Sequence, residues 1–308
     1  MADWKSLFLI YNPFAMNPMK RNFLLSLFLC PAFFAHAQQT DSLVKFQKEG
    51  KYGFNDAAGH EIIPAQFEVV GVFQHGAVPV KAKGKYGFVF ANGKHAAYKY
   101  DSAWTKGRYL FVSKKQKQGL LDSTGKEWVA PIYDEVRPEK DGYARIKVKE
   151  LYGMVNNKGK VILQPNYDMI SGVSQHSVLI YNGDKCGRAD LKTGKVIAAQ
   201  YDKVGPFKDG LAWVRVNQKF GFINEKGDVV IPVMYDRVGN FNEGLAPVGV
   251  SGKFGFIDMA NKEVIATKYD NAIIFQNGKG LIKLNGKVGY VDKEGNETWA
   301  DSVPGSGN

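Results

Sequence analysis

The chain has 308 residues, of which 44% are hydrophobic and 23% are charged, and its net charge is +11. This balance is ordinary for a folded soluble protein and excludes a disordered chain. Aromatic residues at 13%, together with 34 glycines, favour strands and tight turns over long helices.

Residues 19–37 have the three-part pattern of a secretory signal peptide. Lys20 and Arg21 form a basic start, an apolar run of 13 residues follows, and a small-x-small triplet predicts cleavage between Ala37 and Gln38. The run is too short to cross a bilayer core of roughly 30 Å as a helix, and the alternative is a buried or anchoring segment. We therefore expect an exported protein, periplasmic, cell-surface or extracellular, with no transmembrane segment in the mature chain.

The segments on either side of the signal peptide are short. Residues 1–18 contain two prolines and Asp3 where a basic start is usual, so we interpret them as a mis-called extension and Met19 as the true start. Residues 38–42 are a linker. Cys30 leaves with the signal peptide, so Cys186 is alone and the mature chain cannot form an internal disulfide.

A repeat organises residues 43–299. Its marker is a glycine that follows, in most copies, a lysine and an aromatic residue. The copies are spaced by 34 residues, with one interval of 32, at Gly53, Gly87, Gly119, Gly153, Gly187, Gly221, Gly255 and Gly289. A constant period of this size predicts a repeat architecture, here seven full units and a partial eighth, followed by a flexible tail at 300–308.

Each unit has the same order of segments. An alternating strand leads through a tight turn such as Asn285-Gly286 to a second strand that carries the glycine. A polar Asp-x-x-Gly turn follows, as in Asp292 with Gly295, where aspartate is expected to hold the turn backbone. A third short strand is predicted to end near a proline such as Pro232, because proline cannot donate to a ladder.

A Tyr-Asp pair closes each unit, with an aliphatic residue three positions after the tyrosine. The copies are Phe67-Glu68, Tyr100-Asp101, Tyr133-Asp134, Tyr167-Asp168, Tyr201-Asp202, Tyr235-Asp236 and Tyr269-Asp270. We expect the tyrosines to pack between units and the aspartates to hold the following turn. All segments are too short for ordinary helices and their apolar spacing is two, so the mature chain is predicted to be all-β, with units that must stack to bury enough surface.

The combined pattern resembles the bacterial WG-repeat family, most closely in the units that start near Leu211 and Leu245. The resemblance covers about residues 42–299. The family's tryptophan before glycine is replaced by Tyr, Phe, Gln, Cys or Val, and the units centred on Gly119 and Gly187 are worn, with Gln118, Cys186 and Arg188 at substituted positions. These two units are expected to pack less tightly or to carry something specific to them. The resemblance implies a binding or scaffolding surface and no general enzymatic activity.

Two arrangements of the units fit the sequence. One is an open solenoid of stacked hairpin repeats, and the other is a closed β-propeller. A propeller commonly closes by sharing one blade between both chain ends, but here Leu43-Val44-Lys45-Phe46 is in the same phase as Leu281-Ile282-Lys283-Leu284. Because the ends duplicate each other, we favour the open solenoid.

Two sets of repeated side chains are candidates for a ligand face. Tyr201, Tyr235 and Tyr269 could offer a row of aromatic platforms to a glycan or an extended peptide. Lys219, Lys253 and Lys287 could form a positive stripe that attracts an anionic polymer. In each case packing or a solvated edge that discourages aggregation is the simpler interpretation.

No pattern indicates a catalytic, metal or cofactor site. The histidines of the mature chain lie singly without metal-ligand spacing, no nucleophile elbow is present, and one acid per Asp-x-x-Gly turn is too few for calcium. We therefore expect no enzyme and no cofactor. The sequence favours an exported repeat protein that binds a protein or an envelope polysaccharide and not nucleic acid; the alternatives are a structural scaffold of the envelope or a hydrolase with its site in the worn units.

Overall fold

Within residues 43–300, which the computed structural model describes, the chain folds into 30 β-strands and no α-helix. One short 3-10 turn, Lys140–Gly142, is the exception to the strand pattern in that range. The predicted extension, the predicted signal peptide with its expected cleavage site at Ala37 and Gln38, the predicted linker and residues 301–308 lie outside the described residues. The prediction of an all-β repeat protein is confirmed.

The strands form eight antiparallel sheets that follow one another along the chain. Sheet 1 contains β1 (Val44–Lys48), β2 (Lys51–Asn55) and β3 (Glu61–Phe67), and sheet 2 contains β4 (Val69–Val70), β5 (Ala77–Ala82) and β6 (Lys85–Phe90). Sheet 3 contains β7 (Ser102–Lys106), β8 (Tyr109–Lys114), β9 (Lys117–Leu121) and β10 (Glu127–Tyr133). Sheet 4 contains β11 (Glu135–Pro138), β12 (Ala144–Val148), β13 (Leu151–Val155) and β14 (Val161–Tyr167).

The other four sheets have four strands each. Sheet 5 contains β15 (Met169–Ile170), β16 (Ser177–Asn182), β17 (Lys185–Asp190) and β18 (Val196–Tyr201), and sheet 6 contains β19 (Lys203–Val204), β20 (Leu211–Val216), β21 (Lys219–Asn224) and β22 (Val229–Tyr235). Sheet 7 contains β23 (Arg237–Val238), β24 (Leu245–Val250), β25 (Lys253–Asp258) and β26 (Glu263–Tyr269). Sheet 8 contains β27 (Asn271–Gln276), β28 (Lys279–Leu284), β29 (Lys287–Asp292) and β30 (Glu297–Trp299).

The repeat of the sequence and the sheet of the structure are offset by one strand. The first strand of a typical sheet is the segment immediately after Tyr-Asp, as in β19, and it pairs with the hairpin of the next repeat unit. Sequence reasoning found three strands per unit and missed this fourth one. The signal of this strand in the sequence is the aliphatic residue after each Tyr-Asp pair, whose pairing partner lies in the next unit.

Both faces of the middle strands are buried, against a different neighbour on each side. In β20, Leu211 belongs to a hydrophobic cluster shared by sheets 6 and 7, whereas Ala212 and Val214 belong to one shared by sheets 5 and 6. In β21, Phe222 belongs to the cluster shared by sheets 6 and 7, and Ile223 belongs to the cluster shared by sheets 5 and 6. Successive side chains of a strand point to opposite faces, so one strand supplies two cores.

Each pair of consecutive sheets shares such a cluster, seven in all among the described residues. Within residues 43–300, no cluster and no strand pairing joins sheet 1 to sheet 8. The array is therefore an open, solenoid-like succession of hairpin repeats, as the duplicated chain ends predicted, and it contains no closed barrel.

The repeat glycines lie where two strands approach too closely for a side chain. A Cβ built on Gly221 would lie 2.5 Å from the carbonyl oxygen of Ile231. At all eight repeat glycines a carbonyl oxygen of the following strand or segment lies 2.2 to 2.9 Å from the built Cβ: Gly53, Gly87, Gly119, Gly153, Gly187, Gly221, Gly255 and Gly289. Glycine is required here for backbone contact and not for a positive φ.

This close approach coincides with a bulge in the fourth strand. Phe220 pairs with Tyr235 and Phe222 with Ile231, so the segment from Pro232 to Met234 lies opposite the single residue Gly221. The sequence suggests that Pro232 ends its strand. The structure differs, because β22 continues to Tyr235. A bulge leaves residues unpaired, so the missing N–H of proline costs no ladder hydrogen bond there.

Replacing Gly221 with alanine should destabilise the array. The new methyl group would meet backbone atoms that cannot move aside, and overpacking of this kind costs about 1–3 kcal/mol of the free energy of unfolding. Urea unfolding followed by circular dichroism measures the change. Gly172→Ala is the matched control: Gly172 is exposed and nothing lies within 4 Å of its built Cβ, so its effect should stay within about 0.5 kcal/mol. Equal midpoints for the two variants would contradict the packing role of Gly221.

Candidate binding surface

The carboxylates of most Tyr-Asp pairs join two successive sheets. The carboxylate of Asp236 accepts a hydrogen bond from Lys219 Nζ through one oxygen, and from the Ser251 backbone N–H, 2.8 Å away, through the other. Lys219 begins β21 in sheet 6, and Ser251 lies in the hairpin turn of sheet 7 with a positive φ of 51°. The expectation that this aspartate holds the following turn is confirmed.

The lysine–aspartate pair recurs along the array at a spacing of 16 or 17 residues. The pairs are Lys85–Asp101, Lys117–Asp134, Lys185–Asp202, Lys219–Asp236 and Lys253–Asp270. In sheet 4 the corresponding third strand, β13, begins at Leu151 instead of a lysine, and there the Asp168 carboxylate accepts the Gly183 N–H at 2.7 Å. We call this row the lysine–aspartate ladder.

The ladder lowers the pKa of its aspartates. The hydrogen bond from Lys219 contributes most at Asp236, and the N–H of Ser251 lowers the pKa of the same carboxyl further. The same two kinds of donor lower the pKa of Asp101, Asp134, Asp202 and Asp270. Because the lysine and aspartate side chains are partly exposed, solvent screens each pair and any single one adds little stability.

The predicted lysine stripe is therefore not a row of uncompensated charges. Lys219 lies against Asp236 and Lys253 lies against Asp270. Lys287 holds the same place at the start of β29 in sheet 8. Attraction of an anionic polymer to these lysines stays a prediction, but it has a weaker electrostatic basis than the sequence suggested.

The three tyrosines proposed as aromatic platforms lie inside the array. Tyr201, Tyr235 and Tyr269 are 5%, 7% and 1% exposed and belong to the clusters between sheets. The Tyr235 hydroxyl donates to Asn261 Oδ1 at 2.7 Å, and the Tyr269 hydroxyl donates to Glu297 Oε1 at 2.7 Å. A stacking platform needs an open ring face, so these rings serve packing, and a ligand that stacks would need other aromatic side chains.

The Asp-x-x-Gly turns are held by their own aspartates. Asp122 Oδ1 accepts hydrogen bonds from the backbone N–H of Thr124 at 2.8 Å and of Lys126 at 3.1 Å, and Gly125 has a φ of 86°. In residues 43–300, no group of three or more His, Cys, Asp or Glu side chains comes together in a way that could hold a metal ion.

Of the two substituted positions of the second worn unit, Cys186 is buried and Arg188 is partly buried. Cys186 is 3% exposed in the cluster between sheets 5 and 6, and burial raises the pKa of its thiol. Arg188 donates to the carbonyl oxygen of Gly205 at 3.3 Å. A buried thiol with a raised pKa is a poor nucleophile, so this unit gives no support to the hydrolase alternative.

Two cavities lie beside the first strands of consecutive sheets. One, of about 410 Å³, lies at β23 and β27, and its lining includes Phe220, Phe254, Arg237, Asn240 and Asn271. The side-chain oxygen of Asn240 is buried and has no hydrogen-bond partner among the described residues. Phe220 and Phe254 are the aromatic residues that precede two of the repeat glycines.

The other cavity, of about 550 Å³, lies at β7 and β11 in sheets 3 and 4. Its aromatic lining consists of Trp104, Tyr109 and Phe111. Its polar and charged lining consists of Lys106, Gln118, Glu135 and Arg137. We use the term first-strand edge for the side of the array formed by β4, β7, β11, β15, β19, β23 and β27; both cavities open on it.

The repeat has a counterpart among known protein families. The sequence model of the WG containing repeat matches residues 52–86, 119–152, 152–175, 192–220, 220–254 and 254–287, which together make up more than half of the chain. The chain belongs to the WG-repeat family. Residues 87–118 and 176–191 fall between the matched segments, and they contain the substituted positions Gln118, Cys186 and Arg188.

Similarity to solved structures is weak. A eukaryotic initiation factor has 13% identity and a TM-score of 0.34 over 83% of each chain. Apo AztD from Citrobacter koseri has 12% identity and a TM-score of 0.34, over 83% of this chain and 92% of its own. PorZ, a surface component of the type-IX secretion system of Porphyromonas gingivalis, has 10% identity and a TM-score of 0.27, over 86% of this chain and 45% of its own. No functionally curated protein matches the chain in sequence.

A helix long and apolar enough to cross a membrane does not occur in residues 43–300 of this WG-repeat protein.

Asp236→Asn should make the protein less sensitive to acid and to salt. The pKa of Asp236 is lowered in the folded state, so its contribution to stability is present above the ordinary carboxyl pKa of 3.8 and is lost as the pH falls through the lowered value. The urea midpoint of the wild type should therefore drop below about pH 4, and the drop should be shallower in the variant. Added salt should lower the wild-type midpoint more than that of the variant.

Asp168→Asn is the matched control for the charge. Asp168 holds the same kind of turn, but Leu151 stands where other sheets have the lysine, so this variant should keep the wild-type response to salt. A wild-type acid and salt response in Asp236→Asn would show that the Lys219–Asp236 pair contributes nothing to stability.

Proposed function

We propose that this WG-repeat protein is an exported, non-enzymatic binding protein that takes a glycan, peptide or protein partner along its first-strand edge. The observation that carries the proposal is the pair of cavities on this edge, each lined by aromatic side chains together with a few polar groups. Concave sites of about 300–1,000 Å³ with this mixture are typical of ligand pockets.

The other conspicuous features of the repeat are occupied within the chain. The tyrosines fill the clusters between sheets, and the aspartates of the ladder hold lysines and turns. Groups that satisfy each other inside the fold offer little to a partner. The first-strand edge differs because its side chains vary from sheet to sheet, and variation of this kind permits selectivity.

Export rests on the signal-peptide pattern of residues 19–37. The exported protein should therefore begin at Gln38. Mass spectrometry of the N-terminal peptide from the secreted or periplasmic fraction measures this directly. Peptides from residues 1–18 in that fraction would contradict both the processing and the assignment of Met19 as the start.

A partner should be captured from the first-strand edge and not from the opposite edge. A photo-reactive benzoylphenylalanine in place of Ile273 would lie in β27 beside the smaller cavity, and the same residue in place of Met234 would lie in the fourth strand β22. The two positions are similarly exposed, at 46% and 51%. After irradiation with the envelope fraction, we expect the variant at position 273 to form an adduct with a partner. The variant at position 234 should form little or none of this adduct.

Two results would count against this assignment. Equal labelling from both positions would remove the preference for the first-strand edge. Adducts formed only between copies of the chain would favour the structural scaffold.

A further inference from the structure

We propose that the cavity between sheets 3 and 4 binds a single pyranose ring of a glycan, stacked on the indole of Trp104. This inference deepens the proposed binding function and rests on it. It assigns a ligand class to one cavity, on the geometry of that cavity.

The cavity has a rigid aromatic wall. Trp104 lies directly opposite Phe111 in the pairing of β7 with β8, and the two rings are stacked with centroids 5.2 Å apart and planes 16° apart. Phe111 is only 5% exposed, so it supports the indole from the protein side. Tyr109 is held in a similar way against Trp128, at 6.4 Å and 29°, and the Trp128 Nε1–H donates to the Asn156 carbonyl oxygen. Preorganised aromatic rings suit the apolar C–H face of a pyranose.

This wall exists because sheet 3 begins differently from its neighbours. Its first two strands are joined by the two-residue turn Gly107-Arg108, whereas six residues separate β19 from β20 in sheet 6. The tight turn keeps β7 paired over five residues, from Ser102 to Lys106, instead of two. Trp104 is thereby held over the hairpin, a position without a counterpart in the two-residue strand β19.

Gln118 makes room for the ligand. It stands where most units have the aromatic residue before the repeat glycine. Its side-chain oxygen accepts the Val136 N–H at 3.2 Å, while its amide nitrogen forms no hydrogen bond with residues 43–300 and remains a donor. A residue that replaces an aromatic ring with a hydrogen-bonding group both opens the cavity and adds polarity to it.

The charges in the lining suit a ring with hydroxyl groups better than a strongly charged or a purely apolar ligand. Arg137 Nη2 and Glu135 Oε1 are 3.3 Å apart and neutralise each other, which leaves Lys106 as the net positive charge. Their planar groups can donate to and accept from neighbouring hydroxyls. An aliphatic or aromatic side chain of a peptide would displace the water that is hydrogen-bonded to these groups. It would offer no hydrogen bonds in return, which is costly. The net charge allows a neutral ring or one with a single carboxylate.

The site is specific to this part of the array. Six of the ten lining residues lie in 87–118, a stretch that the WG-repeat sequence model does not match. Packing demands are shared by all units, so a departure from the repeat that also builds a cavity points to a role other than packing.

The test uses the chain from Gln38 onwards and three defined hexasaccharides, of glucose, N-acetylglucosamine and galacturonic acid. Binding is measured by titration calorimetry and by the change in tryptophan fluorescence. We expect at least one sugar to bind, and both Trp104→Ala and Gln118→Phe to weaken it by about tenfold or more. Gln118→Phe restores the aromatic residue usual at this position, so it should narrow the cavity, remove the amide donor and keep the fold, as urea unfolding can verify.

Tyr86→Gln is the matched control. It makes the aromatic-to-glutamine exchange at the equivalent position of sheet 2, outside the cavity, and should leave the sugar affinity within about twofold of wild type. If galacturonate binds most tightly and its affinity falls with added salt, the bound ring has a carboxylate. If a neutral sugar binds with an affinity that does not depend on salt, the bound ring has no carboxylate.

The inference is overturned if none of the three sugars binds, or if binding survives both Trp104→Ala and Gln118→Phe. Its failure can be told apart from failure of the binding function. If position 273 still captures a partner while no sugar binds, the protein binds a ligand of another class and only the sugar assignment is wrong. If no partner is captured either, both proposals fail.

Discussion

The fold depends on sheets that are buried on both faces. Adjacent residues of one strand, such as Leu211 and Ala212, lie in hydrophobic clusters on opposite sides of the sheet. A sheet taken alone would expose its apolar faces to water, so each is stable only when it packs against a neighbour. The polar groups that remain, such as Asp236, then serve to fix one sheet relative to the next. Stacking is thus the condition for the ladder, the turns and the cavities.

The constancy of the period has a backbone origin. At each repeat glycine the third strand touches a carbonyl group of the segment that follows, and the bulge opposite Gly221 fixes how many residues the fourth strand uses. The 32-residue interval between Gly87 and Gly119 breaks the period where the structure also departs from it. There sheet 2 has only isolated bridges, Tyr86 to Tyr100 and Val89 to His95, in place of its fourth strand, and sheet 3 begins with a tight hairpin.

The sequence predicted the features that depend on local chemistry and on repetition. The glycine period, the Asp-x-x-Gly turns, the all-β open array and the burial of tyrosine between units all follow from patterns within about 34 residues. It failed where two units meet. The repeat pattern suggests separate roles for Lys219 and Asp236, although they form one ion pair. The pattern also does not reveal the short strand β19, because its pairing partner belongs to the next unit. Pairing across a boundary depends on register, which composition does not reveal.

A repeat protein separates structural residues from those free to bind. A residue present in every unit must satisfy the packing that every unit shares, so its recurrence argues for structure, as the buried Tyr201 and Tyr269 demonstrate. A residue that departs from the pattern is released from that demand. Gln118 departs from the pattern in this way. The aromatic ring that most units have at this position is absent, which leaves a void between two sheets unless something else fills it. The worn units of a regular array are therefore the places where a ligand can contribute to the fold that binds it.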